Sequence, residues 1–470
     1  MTSEPPIPDG RAGAYRLFPA VRRPHGSGSI VLTVFVVLLL CLPSRYVFAP
    51  LGAAGTPAQM FGLAAALWWS AHWLARHRPE TSLRQPVRRA ALVFLAAIMA
   101  SYAAAALRPI SASEISAADR GLLSALSWGA VLLVALDGIP DRPRLDTLMR
   151  RLTMLGGAVA ALGIVQYLTG QAFTEYLRLP GLAVNGDLTS VGSRQGFFRP
   201  AGTALSPIEF GVVLTMILPI ALHYAVTDRH RAVRSRWFPV LAIGVALPFA
   251  ISRSAIVGAV AGLAILLPTW PRAVRRRTYA GVVALVGAMF VLRPGMLGSL
   301  AGLFTGISND ASAQSRSNSY AIAWSFILDR PVFGRGFGTF MPQYRILDNE
   351  YLLLLIETGV VGCGALLVLF WVAIRTAWRH RFGAAGRIVG GAPTLGAALA
   401  ASIAAGVLGF ALFDALSFPM VPGLMFLLLG TSGAMRRLAL ESADPLPPQG
   451  GPGQGTVGPP SRPEGVAPVM

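Results

Sequence analysis

The sequence predicts an all-α, polytopic integral membrane protein of about 12 transmembrane helices, with a large outer loop that contains short helices. Three observations carry this. Hydrophobic residues make up 54% of the 470 positions and charged residues only 13%, where soluble chains carry roughly 25% charged residues. Mean hydropathy is +0.58. Apolar stretches approaching the ~20 residues needed to span a bilayer recur from Ile30 to Met435. A soluble enzyme, a disordered chain and a protein with one anchor are excluded.

Residues 1–28 are polar and rich in Pro, Gly and Arg, and read as a disordered tail. The polytopic domain is expected over 29–437, with spans near 30–48, 58–75, 90–107, 120–137, 151–169, 204–226, 238–251, 255–270, 279–293, 351–374, 388–413 and 420–435. The first is read as an uncleaved span rather than a signal peptide, because apolar character resumes at Tyr46 and another span soon follows. The Ala/Gly-rich stretch 396–409 is helix-packing material, since small residues permit close approach. Residues 438–470, with the run PLPPQGGPGQG, read as a second disordered tail.

All 40 basic residues are Arg, against 21 acidic residues, for a net charge of +19. Such an excess would suggest nucleic acid in a soluble chain. Here, placing the N-terminus inside puts 28 arginines on inner segments and 12 outside or at outer span ends. This asymmetry orients the chain with both termini cytoplasmic, and no nucleic-acid partner is expected. Two outer segments are long: 170–203, and a large outer loop at about 294–350. Long loops in a compact membrane protein carry function.

The outer arginines need a reason, because a guanidinium at the membrane boundary is costly unless it snorkels or is paired. It is also well suited to bidentate recognition of phosphate. Arg199 lies in FRPAG (198–202) just before a span, and Arg253 in the tight turn ISRS (251–254). Arg316 opens SRSNSYAIAW (315–324), an expected amphipathic outer helix. DRPVFGRGFG (329–338) reads as a structural turn rather than a nucleotide loop, because no strand precedes it and no Lys follows. DNEY (348–351) opens a span that also holds Glu357, about two turns deeper along the face of Glu350. Gly359, Gly362 and Gly364 are read as packing positions. All six histidines fall in the inner half and both cysteines in apolar stretches, so no metal site is expected. An outer catalytic base must then be a carboxylate.

The order of these motifs, FRPAG, SRS, Arg316 with Trp324, PVFGRGFG, DNEY and then ETG (357–359), resembles the O-antigen ligase and O-antigen polymerase superfamily over about 190–365. The resemblance implies a cytoplasmic (inner) membrane enzyme whose large loop is periplasmic. It implies transfer of glycan from an undecaprenyl-diphosphate-linked oligosaccharide to an acceptor hydroxyl, without metal or other cofactor. Arg199, Arg253 and Arg316 take the diphosphate-binding positions. Asp348 and Glu350, with Arg316, are the catalytic positions, and Asn349, Tyr351 and Glu357 support the acceptor side or the structure. Ligases show His-Asn where this chain has Asp348-Asn349, which favours O-antigen or exopolysaccharide polymerisation over ligation to lipid A core. Expected partners are the lipid-linked donor, the glycan acceptor, the bilayer, and other polysaccharide-assembly proteins such as a flippase or chain-length regulator. The rival classes are a 12-span transporter and a non-catalytic scaffold. Against the transporter, the two halves show no repeat and the non-membrane sequence is concentrated outside.

Overall fold

The computed structural model describes residues 27–74, 85–177, 179–185, 193–194, 197–292, 311–381 and 395–443, with single positions between 295 and 302. Both expected tails fall almost wholly outside these residues, as do 303–310 of the large outer loop. The described residues form helices α1 (Ser27–Cys41), α2 (Pro57–Leu74), α3 (Pro86–Ala106), α4 (Ala112–Gly138), α5 (Arg142–Thr169), α6 (Pro207–Thr227) and α7 (Val233–Phe249). They continue with α8 (Arg253–Leu266), α9 (Arg272–Leu292), α10 (Ala311–Asp329), α11 (Glu350–Arg379), α12 (Leu395–Phe410) and α13 (Met420–Ala443). Helix α13 runs past the expected domain end at 437, because RRLALESA continues in good helix formers.

Five helices, α3, α4, α5, α6 and α11, are long and apolar enough to cross a membrane. Gly28–Cys41, Arg253–Thr269, Tyr320–Asp329 and Leu395–Phe410 are shorter apolar helices. The fold is therefore an all-α, polytopic membrane bundle. Strand structure among the described residues is limited to two-residue pairs: Tyr46–Val47 with Ala183–Val184, and Ser193–Arg194 with Phe197–Phe198.

Local signals start and stop the helices. Asp141 caps α5 by accepting the Arg144 amide at 2.8 Å, and Gly170 ends that helix at φ +68°. Ser111 and Glu114 form a reciprocal capping box on α4. Ser206 caps α6, with Pro207 at its first position. Helix α12 is almost wholly buried, and its small residues let its neighbours approach. Gly258 of α8 lies against Thr215 and the Ala405 carbonyl, and Gly262 against Pro219 and the Ala401 carbonyl.

Side-chain ties sort the connections into two ends. At one end Arg88 pairs with Asp137, Gln85 Nε2 donates to the Gly433 carbonyl at 2.7 Å, Arg437 donates to the Ile139 carbonyl, and Arg150 Nε meets Asp228 at 2.8 Å. At the other, the Ser44 amide donates to the Thr203 carbonyl at 2.9 Å and Gln166 Nε2 to the Gly202 carbonyl at 2.9 Å. The same end holds the bond from the Leu416 amide to Glu350, at 2.9 Å. The first end carries connections that the arginine count assigns to the inside. The second carries 107–111, 170–177, 179–185, 193–194, 197–206, 250–252, 330–349 and 411–419, termed the outer end below.

Single cysteines at exposed Ser113 and Arg231, in a Cys41→Ser, Cys363→Ala background, test this orientation. A membrane-impermeant maleimide is expected to label Ser113→Cys in intact spheroplasts and Arg231→Cys only after permeabilisation. The reverse pattern would invert the chain and remove the outer site.

Candidate functional site

The segment from Arg199 to Ser206 is strapped down at almost every residue. Gln166 holds Gly202 from both sides, accepting its amide at 2.7 Å and donating to its carbonyl at 2.9 Å. Gly202 sits at φ +60°, where an added Cβ would lie 2.9 Å from the Phe210 ring, so only glycine fits this turn without strain. Thr203 Oγ1 donates to the Leu40 carbonyl at 2.6 Å. Arg199 is half-buried, and its Nε donates to the Ala250 carbonyl at 2.8 Å.

Ala250 opens the turn that carries Arg253, so the structure brings Arg199 to the Arg253 turn. In that turn Ile251 is buried at φ +42°. For a β-branched residue this is a strained backbone, worth on the order of 1–3 kcal/mol, and such strain persists only where the surroundings over-determine it. The bond from Arg199 and the start of α8 supply that constraint. Half-buried Arg253 is the first residue of α8. A cation at a helix N-terminus has the wrong sign for the helix dipole, and it adds to the positive end of that dipole to favour an anion. Arg316 lies on α10, with its side chain outside the described residues.

The start of α11 carries DNEY, with mixed outcomes for its expected roles. Asn349 is a helix cap, its Oδ1 accepting the amides of Tyr351 at 3.0 Å and Leu352 at 3.3 Å. The Tyr351 hydroxyl donates to the Val407 carbonyl at 2.7 Å, tying α11 to α12. Glu350, expected as a catalytic alternative, is 1% exposed and its Oε2 accepts the Leu416 amide. Geometry therefore gives it a holding role instead of contact with a water-exposed acceptor. Asp348 is half-buried at the bundle end.

The Glu357 carboxylate has a structural part, accepting the amides of Gly338 and Phe340, the latter at 3.1 Å, with the charge of Arg335 nearby. Helix α11 breaks here, with Gly359 at φ +63° and ψ −166°, so Gly359 is a break and not a packing position. The loop Pro331–Phe340 docks into the break. The Arg335 and Gly336 amides donate to the carbonyls of Ile356 and Glu357 at 3.0 and 2.9 Å. Beyond the break, the Val360 amide donates to the Pro331 carbonyl at 2.9 Å. A broken membrane helix is tolerated because protein groups re-satisfy its backbone. The glycines of this run, Gly334, Gly336 and Gly338, all take positive φ.

Three residues not singled out from sequence complete this end. Glu114, 4% exposed, binds Arg108 at 3.2 Å, Arg335 at 2.8 Å and the Tyr344 hydroxyl at 3.1 Å. The Arg335 guanidinium also stacks over Phe326, Phe340 and Tyr344, 4.8–5.9 Å from their centroids. Asp414, in the α12–α13 connection, has its carboxyl pushed up to about 6, first by burial and then by the negative charge of Asp348. Two residues on, Leu416 bonds Glu350, so the Asp414 and Asp348 segments are fastened together. Glu209 is fully buried and accepts the amides of Leu205 at 2.7 Å and Met420 at 2.6 Å. An acidic residue three positions after a Ser cap signalled Glu209 in the sequence, but as a local cap only. Among the described residues, no three His, Cys, Asp or Glu side chains are grouped to hold a metal ion.

Residues 238–367, from α7 into α11, match a family model described as O-antigen ligase. The match spans the Arg253 turn, α10, the glycine loop and the DNEY helix start. It supports membrane glycan transfer as the general activity. No curated protein matches the chain.

Gly359→Ala forces a Cβ into the Val332 carbonyl oxygen at a left-handed position. It is expected to destabilise the protein by about 2–4 kcal/mol, read as a lower unfolding temperature in detergent. Gly364→Ala on the same helix meets open space and is expected to be neutral or slightly stabilising.

Proposed function

We propose that this chain, a member of the O-antigen ligase and O-antigen polymerase superfamily, transfers glycan from an undecaprenyl-diphosphate donor to an acceptor hydroxyl on the outer face of the cytoplasmic membrane. The reaction proposed is polymerisation of O-antigen or exopolysaccharide. The observation that carries the reading is the meeting of Arg199 with the Arg253 turn at the bundle end that also holds the fastened Asp348 and Asp414 segments. One side supplies groups for an anion and the other supplies a base.

In this reading the acceptor oxygen attacks the anomeric carbon as the bond from that carbon to the diphosphate oxygen breaks. The undecaprenyl diphosphate leaves with the bonding pair, and Arg199, Arg253 and Arg316 stabilise its growing charge. Diphosphate is already a good leaving group, so catalysis reduces to charge stabilisation and positioning. The acceptor proton passes to the pair Asp348 and Asp414. Burial and the negative charge of Asp348 hold the Asp414 proton to higher pH than in an ordinary Asp, which makes Asp414 a stronger base. Glu350 holds the pair's two segments together, and Asn349 fixes the helix that presents Asp348. The Asp at the ligase His position supports polymerisation over ligation.

The test is the surface glycan profile of a deletion strain complemented with variants. Wild-type chain is expected to restore long chains, and Asp348→Asn to leave single units only. Loss of all transfer to lipid A core in the deletion strain would instead indicate a ligase. With purified protein, kcat/KM is expected to fall as pH drops through about 6, where Asp414 gains its proton, and Asp414→Asn should remove that limb. For stability the sign is opposite. The folded state holds the Asp414 proton that the unfolded state releases near pH ~4, so Asp414 disfavours the fold as pH rises from about 4 to 6. An unchanged acid limb in Asp414→Asn would remove this residue from the base.

A further inference from the structure

Glu209 lies in the first turn of α6, where a residue three places after a Ser cap ordinarily turns back to its own cap amide. Its backbone obeys that pattern, the amide donating to Ser206 Oγ at 3.1 Å. Its carboxylate does something else. Oε2 accepts the Leu205 amide at 2.7 Å, and Oε1 reaches 211 residues along the chain to the Met420 amide at 2.6 Å. The Val421 amide donates as well. The side chain is 0% exposed. Two helix N-termini, those of α6 and α13, thus converge on one buried carboxyl group, and their dipoles suit its charged form.

The two segments it joins differ in role. Leu205 belongs to the strapped stretch that begins with Arg199. Met420 closes the connection that holds Asp414 and Leu416, and Leu416 in turn is fixed by Glu350 beside Asp348. On its far side α6 also sets the Arg253 turn, since Gly211, two residues after Glu209, would place a Cβ 2.7 Å from that of Ala255. Donor arginines and acceptor carboxylates sit on separate segments of the outer end, and Glu209 is bonded to both.

We infer that Glu209 is a positioning residue, a bracket that sets the separation between the arginine segment 199–206 and the carboxylate segment 411–420. The inference rests on the glycan-transfer reading above. Glu209 touches neither donor nor acceptor. It acts by keeping the acceptor oxygen at attacking distance from the anomeric carbon, where small displacements weigh heavily on rate.

The experiment uses purified full-length chain and, as donor, the undecaprenyl-diphosphate-linked oligosaccharide extracted from the deletion strain. Glu209→Gln keeps shape but turns an amide NH2 toward one of the backbone donors. Its kcat is expected to fall about 10- to 100-fold, the scale of one lost charge-assisted hydrogen bond, with KM for donor and acceptor within about threefold of wild type. Glu209→Asp keeps the charge but cannot span both amides, so its kcat is expected to stay low, and it is read in the same way if Glu209→Gln fails to accumulate. Gln85→Ala removes a buried tie at the opposite end and is expected to lower the unfolding temperature with kcat unchanged. Full kcat per folded molecule in Glu209→Gln, or full rescue by Glu209→Asp, would overturn the bracket while leaving glycan transfer standing. A wild-type chain that transfers nothing would overturn both.

Discussion

Four buried glutamates hold the outer end of this bundle together, and the rest of the site depends on how their carboxyl groups are satisfied. A carboxylate taken from water into a membrane protein must find donors. Glu209, Glu350 and Glu357 find backbone amides, of Leu205 and Met420, of Leu416, and of Gly338 and Phe340. Glu114 finds Arg108, Arg335 and Tyr344. Each joins pieces of chain distant in sequence, so the outer connections are fixed relative to one another even though they carry little regular structure of their own. That rigidity suits chemistry in which positioning matters more than acid strength.

The division of labour among charged residues follows. Glutamates fasten, whereas the aspartates Asp348 and Asp414 are only half-buried and repel one another across the segments that Glu350 joins. Arg335 is drawn into an aromatic cage and a carboxylate, a structural fate. Arg199 and Arg253 instead gather around a strained turn at a helix N-terminus, an arrangement that suits an anion. Residue type alone does not separate these roles, and the partners do.

The helices were largely legible in the sequence, because apolar run length is a property of single segments. Hence the helices lie close to the expected stretches, and the glycine run at 334–338 is the turn its composition announced. Arg199 and Arg253 stand out in the sequence as exceptions to a charge rule, and the structure puts the Arg199 side chain on the Arg253 turn. What was not legible is pairing at long range. Glu209 reads locally as a first-turn cap, and nothing near it names Met420. Glu357 on an apolar helix invites an arginine partner, because an unbroken helix offers it no amides. The break that supplies them depends on a loop that begins 26 residues earlier, at Pro331. Asp414 sits in a short connection, and nothing in that stretch of sequence names Asp348 or Glu350 as lying beside it.

The break in α11 also has a consequence for biogenesis. The loop Pro331–Phe340 precedes α11 in the chain and follows α3 and α4, so it and the helices it rests on are synthesised before α11. Arg335 meets Glu114 at the start of α4, and Gly338 lies close to the Ala117 carbonyl on that helix. The glycine loop can therefore seat itself on the earlier helices before α11 emerges. The incoming helix then opens around a template, exchanging its own hydrogen bonds at Ile356–Val360 for those of the loop, and no completed helix has to be prised apart.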